Sequence, residues 1–121
     1  MKKILIAEDE RDIRELVAFT LERHGFAVIS SADGRTALEL AAKEQPDLAL
    51  LDVRMPRMDG YEVCRRIKAD PTLTHIPVIF LSAKGQEAEV QAGLEAGAQA
   101  YIIKPFSMDD LISQIQKTLR A

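Results

Sequence analysis

The strongest constraint on this chain is an alternation. Five short aliphatic or β-branched runs, Ile4–Ala7, Ala27–Ser31, Leu48–Leu51, Val78–Leu81 and Tyr101–Ile103, recur along 121 residues. They are near-continuous rather than alternately polar and apolar, the pattern of strands buried on both faces of a parallel sheet. The segments after them have helical spacing. Ile13, Leu16, Val17, Thr20 and Leu21 form one stripe, and Ala37, Leu40 and Ala41 a weaker second. Tyr61, Val63, Cys64 and Ile67 form a third, Val90 and Leu94 a fourth, and Leu111, Ile112, Ile115 and Leu119 a fifth.

The punctuation agrees with this reading. Gly25, Pro46 and Gly97 each stand just before a strand candidate, where a helix should end. Asp70-Pro71 and Ile76-Pro77 bracket the loop ahead of the fourth strand, and Ser107 is placed to cap the last helix. Five βα units joined by right-handed crossovers predict an α/β fold, a (βα)5 three-layer sandwich. The length suits one domain over residues 1–121 with no room for a second.

Composition narrows the partners. A formal net charge of -3 gives no electrostatic reason to expect nucleic acid or an anionic membrane. Lys2 and Lys3 are followed only by Ile4–Ala7 before Glu8 and Asp9 interrupt, so no signal peptide is read, and no run could span a bilayer. The single cysteine, Cys64, excludes an intramolecular disulfide and is expected as a half-buried helix residue. The cytoplasm is the expected location.

In an open parallel sheet, ligands bind beyond the carboxyl ends of the strands. Those ends carry Glu8 and Asp9 after the first run, Asp52 after the third, Ser82 after the fourth and Lys104 after the fifth. Carboxylates brought close together must take up a proton or a cation. A few hard oxygen ligands suit Mg²⁺, and a lysine would balance the remaining charge. Such a site favours phosphoryl transfer, with Asp52 as the attacking carboxylate and an acyl phosphate as product. A single Asp after a strand is usually a turn residue or a cap; the coincidence at four strand ends is what carries weight. His24, at a helix end, and His75, in a loop, are expected to be structural.

At these positions "ILIAEDE", "LLDVRMPRMDG", "VIFLSA" and "YIIKPF" resemble the receiver domain of two-component response regulators, over essentially the whole chain. The resemblance implies a flavodoxin-like fold with strand order 2-1-3-4-5. It implies that Asp52 accepts phosphate from the phosphohistidine of a histidine kinase or a phosphotransfer protein. Asp9 would ligate Mg²⁺ directly and Glu8 through water. Asp52 and the Arg54 backbone carbonyl would complete the protein ligands, with Mn²⁺ as a substitute ion. Ser82 would hydrogen-bond a phosphoryl oxygen, Lys104 would pair with the phosphoryl group, and Tyr101 would swing between rotamers as Ser82 moves. A cis Lys104–Pro105 bond would aim the lysine at the pocket.

By the same resemblance the chain is a signalling switch, not an enzyme with a separate substrate; it assists only its own phosphorylation and dephosphorylation. Output would pass through the face of helix four, strand five and helix five, where Val90, Leu94, Tyr101 and Ile112 lie. The receiving party is a downstream protein or an output domain outside this sequence, with no direct nucleic-acid contact. The chain would be a monomer or a phosphorylation-dependent homodimer.

Some residues depart from the family pattern. Glu8 stands where aspartate is commonest, and Ser82 replaces the usual threonine. Arg54 and Lys84 would flank the route of an attacking water and are expected to slow hydrolysis of the acyl phosphate. Pro56 and Gly60 shape the loop after Asp52, and Gly60 supplies either a positive φ or a close backbone approach. A small-molecule aspartyl-phosphate hydrolase would often carry a second acid where Arg54 stands. A flavin or dinucleotide binder would need a glycine- or hydroxyl-rich first loop in place of "AEDE". A pseudo-receiver that binds partners without phosphate is the alternative the residues leave open.

Overall fold

The structure, a computed structural model, describes residues 1–83 and 87–120, for 83 and 87–90 the backbone alone. The elements are β1 (Lys3–Ala7), α1 (Arg11–Arg23), β2 (Ala27–Ser31), α2 (Gly34–Glu44), β3 (Leu48–Asp52), α3 (Gly60–Ala69), β4 (Val78–Ala83), α4 (Glu87–Glu95), β5 (Ala100–Lys104) and α5 (Met108–Arg120). All strand pairs are parallel, and the sheet order is β2-β1-β3-β4-β5. This is the expected three-layer sandwich.

Strand alternation divides the interior in two. Ile4, Ile6, Leu48, Leu50, Ile79 and Leu81 face α1 and α5, where Val17, Leu21, Leu111, Ile112 and Ile115 meet them. Leu5, Ala7, Ala49, Leu51, Val78 and Phe80 face the other way, toward Ala37, Ala41, Val63, Cys64, Ile67 and Ala96. Burial on both faces holds for β1 and β3 and for the described side chains of β4, but not for the margins. Ser30 on β2 and Tyr101 and Ile103 on β5 are exposed. Each marginal strand has one neighbour, and helices cover it incompletely. Uninterrupted apolar sequence therefore overstated its burial.

The helix signals sort in the same way. Gly25 and Gly97 adopt φ of +88° and +105°, the left-handed backbone that ends α1 and follows α4. Ahead of Pro46 that conformation falls to Gln45, at φ 49°. Ser107 Oγ accepts the Asp110 N–H at 3.0 Å, as read from sequence. Asp33 and Asp59 cap α2 and α3 through the N–H groups of Thr36 and Glu62. Pro56 does not start α3; its carbonyl accepts the Met58 N–H at 2.8 Å in a loop turn. His24 caps α1, its Nδ1 2.9 Å from the Thr20 carbonyl oxygen, and His75 is an exposed loop residue.

Two stripe residues face solvent: Leu16 is 52% and Leu94 46% exposed. α4 instead packs through Gly93, and Ala96 just beyond its end is buried as well, small residues that let the backbone approach the sheet. Val90, the other stripe residue of α4, has a side chain outside the described residues, and so does Lys84 in full.

Cys64 is fully buried rather than half-buried, and its thiol donates to the Ala96 carbonyl at 3.4 Å. Burial pushes the thiol up to about 11. The native protein should therefore leave an aromatic disulfide reagent unreacted at pH 8 and consume one equivalent in denaturant. Full reaction within the mixing time without denaturant would show the thiol to be accessible. Among the described residues, no helix is long and apolar enough to cross a membrane.

Candidate functional site

The parallel register delivers the polar strand ends to one edge of the sheet. Ala7 pairs with Leu51, so Glu8 and Asp52 leave adjacent strands at the same level. Asp52 pairs with Leu81, which puts Ser82 one residue beyond it; Ala83 pairs with Lys104. Carboxylate oxygens of Glu8, Asp9 and Asp52 lie within 4.8 Å of one another. Glu8 is completely buried, Asp52 is 7% exposed, and Asp9 faces solvent.

Lys104 Nζ bridges the two buried acids. It donates to Glu8 Oε1 at 2.8 Å and lies 3.4 Å from Asp52 Oδ1. The Lys104–Pro105 bond is cis, as the resemblance implied. The other Glu8 oxygen accepts the Glu10 N–H at 3.1 Å, which fixes the carboxylate from two sides. Burial, and then the Glu8 charge, push the Asp52 carboxyl up to about 7, against the pull of Lys104. Burial works to lower Lys104, but the Glu8 hydrogen bond and the Asp52 charge outweigh it and hold the ammonium above its usual range. The pocket thus holds more negative charge than one ammonium satisfies. Three convergent carboxylates without nitrogen or sulfur donors fit a hard divalent cation such as Mg²⁺.

The remaining candidates take distinct positions. Ser82 stands one residue before the end of β4 and is 1% exposed, facing the same side of the sheet as Phe80. Arg54 is exposed two residues past Asp52. Tyr101 is 37% exposed on β5, beside a cleft of about 280 Å³ that Ile103, Phe106 and Asp110 also line. Gly60 resolves the question of its own role: its φ is not positive, but a Cβ there would collide with the Asp52 carbonyl oxygen. The loop folds back so tightly that α3 begins against the backbone of the acid, and the Gly60 N–H donates to the Val53 carbonyl at 2.9 Å.

One site residue escaped the sequence reading. Arg14 on α1 donates to the Glu8 backbone carbonyl at 2.8 Å and reaches that of Asp9 at 3.4 Å, clamping the loop that carries both acids. An arginine in the first turns of a helix is usually solvated, so its spacing gave no signal.

The profile of the response regulator receiver domain matches residues 4–116. The response regulator MprA of Mycolicibacterium vanbaalenii is 41% identical over 118 residues, which cover 98% of this chain and 50% of that protein. The chain spans about half the length of the curated relatives it matches. A putative response regulator from Chloroflexus aurantiacus superposes with a TM-score of 0.95 at 32% identity, covering 99% of this chain and 98% of that one. The receiver domain of the sensor histidine kinase PA1611 from Pseudomonas aeruginosa, with a magnesium ion coordinated in its active site cleft, superposes at 0.92 and 30% identity, covering 99% and 98%.

Proposed function

The chain belongs to the response regulator receiver family, and from that premise we propose that it is a phosphorylation-switched signalling module with Asp52 as its acceptor. The observation that carries the reading is the meeting of Glu8, Asp9 and Asp52 within 4.8 Å, with Lys104 bridging two of them. An Asp52 oxygen attacks the phosphorus of a phosphohistidine. The new P–O bond gives an acyl phosphate as the P–N bond breaks, and the imidazole leaves with the electron pair and takes a proton. β3 fixes the attacking oxygen in place, and burial keeps competing water away from it.

Glu8, Asp9, Asp52 and the Arg54 carbonyl would hold Mg²⁺, or Mn²⁺ in its place. When bound, the ion supplies positive charge where the phosphoryl oxygens gather negative charge. Lys104 then turns from Glu8 toward the new phosphoryl group, and the Ser82 hydroxyl donates to one of its oxygens. Tyr101 answers by changing rotamer, altering the surface that Leu94, Tyr101 and Ile103 present to a partner. The donor is a histidine kinase or a phosphotransfer protein. The listener is a downstream protein or an output domain, consistent with relatives about twice as long, and the cytoplasm is the compartment where these would meet.

The test is intact-mass measurement after incubation with acetyl phosphate. The expected result is one added phosphoryl group with Mg²⁺, little without it, and none in Asp52→Asn. Wild-type protein that stays unmodified under all conditions would leave a phosphate-independent interaction module as the surviving reading.

A further inference from the structure

Phe80 sits where it has no freedom. It is 2% exposed on β4, and Tyr61 meets it edge-on with ring centroids 5.5 Å apart. Glycines pin diametrically opposite carbons of the ring. A Cβ built on Gly60 would lie 3.1 Å from Cε1, and one built on Gly93 would lie 2.7 Å from Cδ2. Both backbones can approach this closely only because each residue lacks a side chain. Gly60 in turn abuts the Asp52 carbonyl. A continuous row of packed atoms therefore runs from the backbone of Asp52 through the start of α3 and the Phe80 ring to α4. Ser82, two residues along β4, projects to the same face as Phe80.

We propose that Phe80 is a positioning residue, a rigid spacer that couples the backbone beneath Asp52 to the placement of α4. Its functional consequence rests on reading Asp52 as the acceptor; the mechanical link does not. A planar ring held at both margins cannot absorb a displacement by changing rotamer, as an aliphatic side chain could. Movement at the acid loop is passed to α4, and movement of α4 is passed back.

Gly93→Ala, Phe80→Leu and the double variant test this in a cycle. In the unmodified, metal-free chain, Gly93→Ala should shift the amide resonances of Gly60 and Val53, on the far side of the ring. It should also speed amide exchange over residues 91–95 by about fivefold. With acetyl phosphate and saturating Mg²⁺, Gly93→Ala should slow Asp52 labelling by about fivefold. All three effects should vanish in the Phe80→Leu background, where the ring is gone. Resonance changes confined to α4 with labelling within about twofold of wild type, or effects that persist without the ring, would overturn the proposal. If Gly93→Ala does not fold, rescue by Phe80→Leu supports the link, and failure to rescue rejects it. A wild type that takes up no phosphoryl group defeats the reading of Asp52 alone, and the resonance shifts then decide the link.

Discussion

Asp52→Asn stabilises the metal-free protein at pH 8, although it removes the group on which the proposed function depends. The Asp52 carboxyl is pushed up to about 7 by burial and by Glu8, whereas an unfolded aspartate titrates near 4. For an acid whose folded pKa lies above its unfolded one, the folded state holds the extra proton between the two values. The contribution to stability is therefore favourable below about pH 4, is lost as pH rises toward about 7, and is flat above that. Asparagine carries no such penalty and still offers an oxygen to Lys104. Allowing for solvent screening, the gain above pH 7 is on the order of 2 kcal/mol, or about 5–10 °C in Tm. It should shrink steadily as pH falls and disappear near pH 4. Mg²⁺ at ten times its Kd should stabilise wild type by ~1.4 kcal/mol at pH 8 and the variant by much less. Thermal scans across pH, with and without Mg²⁺, check all of this. A variant no more stable than wild type at pH 8 would mean that Lys104 already neutralises the acids.

Gly60→Ala acts in the opposite direction. The new Cβ would overlap the Asp52 carbonyl oxygen and stand 3.1 Å from both the Asp52 carbonyl carbon and a Phe80 ring carbon. Backbone cannot step aside as a flexible side chain can, so the turn must open and strain the Gly60 N–H bond to Val53. Overpacking together with a damaged hydrogen bond costs about 3 kcal/mol, read as a lower urea midpoint at unchanged slope. Gly25→Ala is the control. Nothing lies within 4 Å of that position, and only its φ of +88° is unfavourable, so it should cost about 1–2 kcal/mol. Equal losses at the two glycines would show that the turn yields to a side chain at Gly60 and that its approach to the Asp52 carbonyl costs no more than an unfavourable backbone angle does.

Much of this architecture could be read from residue order, because the features that specify it are local. Apolar runs, helical stripes and glycine stops each need only a short window, and together they located all five strands to within two residues at either end. The acids Glu8, Asp9 and Asp52 were legible because strand ends in a parallel sheet share one edge. What escaped depends on contacts between distant segments. Leu94 looks like a core residue until Gly93 and Ala96 are seen to take that role. Arg14 is an ordinary helix cation until the loop carbonyls of Glu8 and Asp9 come within its reach. Gly60 offered two explanations, and only the position of the Asp52 backbone chose between them. Cys64 gave no sign of complete burial, since its neighbour Ala96 lies 32 residues away.

The sheet keeps its two apolar clusters apart, one under α1 and α5 and the other under α2, α3 and the end of α4. Phe80 and Ser82 belong to the second side, whereas Lys104 follows Ile102 onto the first. Residues under α1, where Leu16 and Phe19 stand exposed on the outer surface, can therefore change without repacking the cluster that holds Phe80.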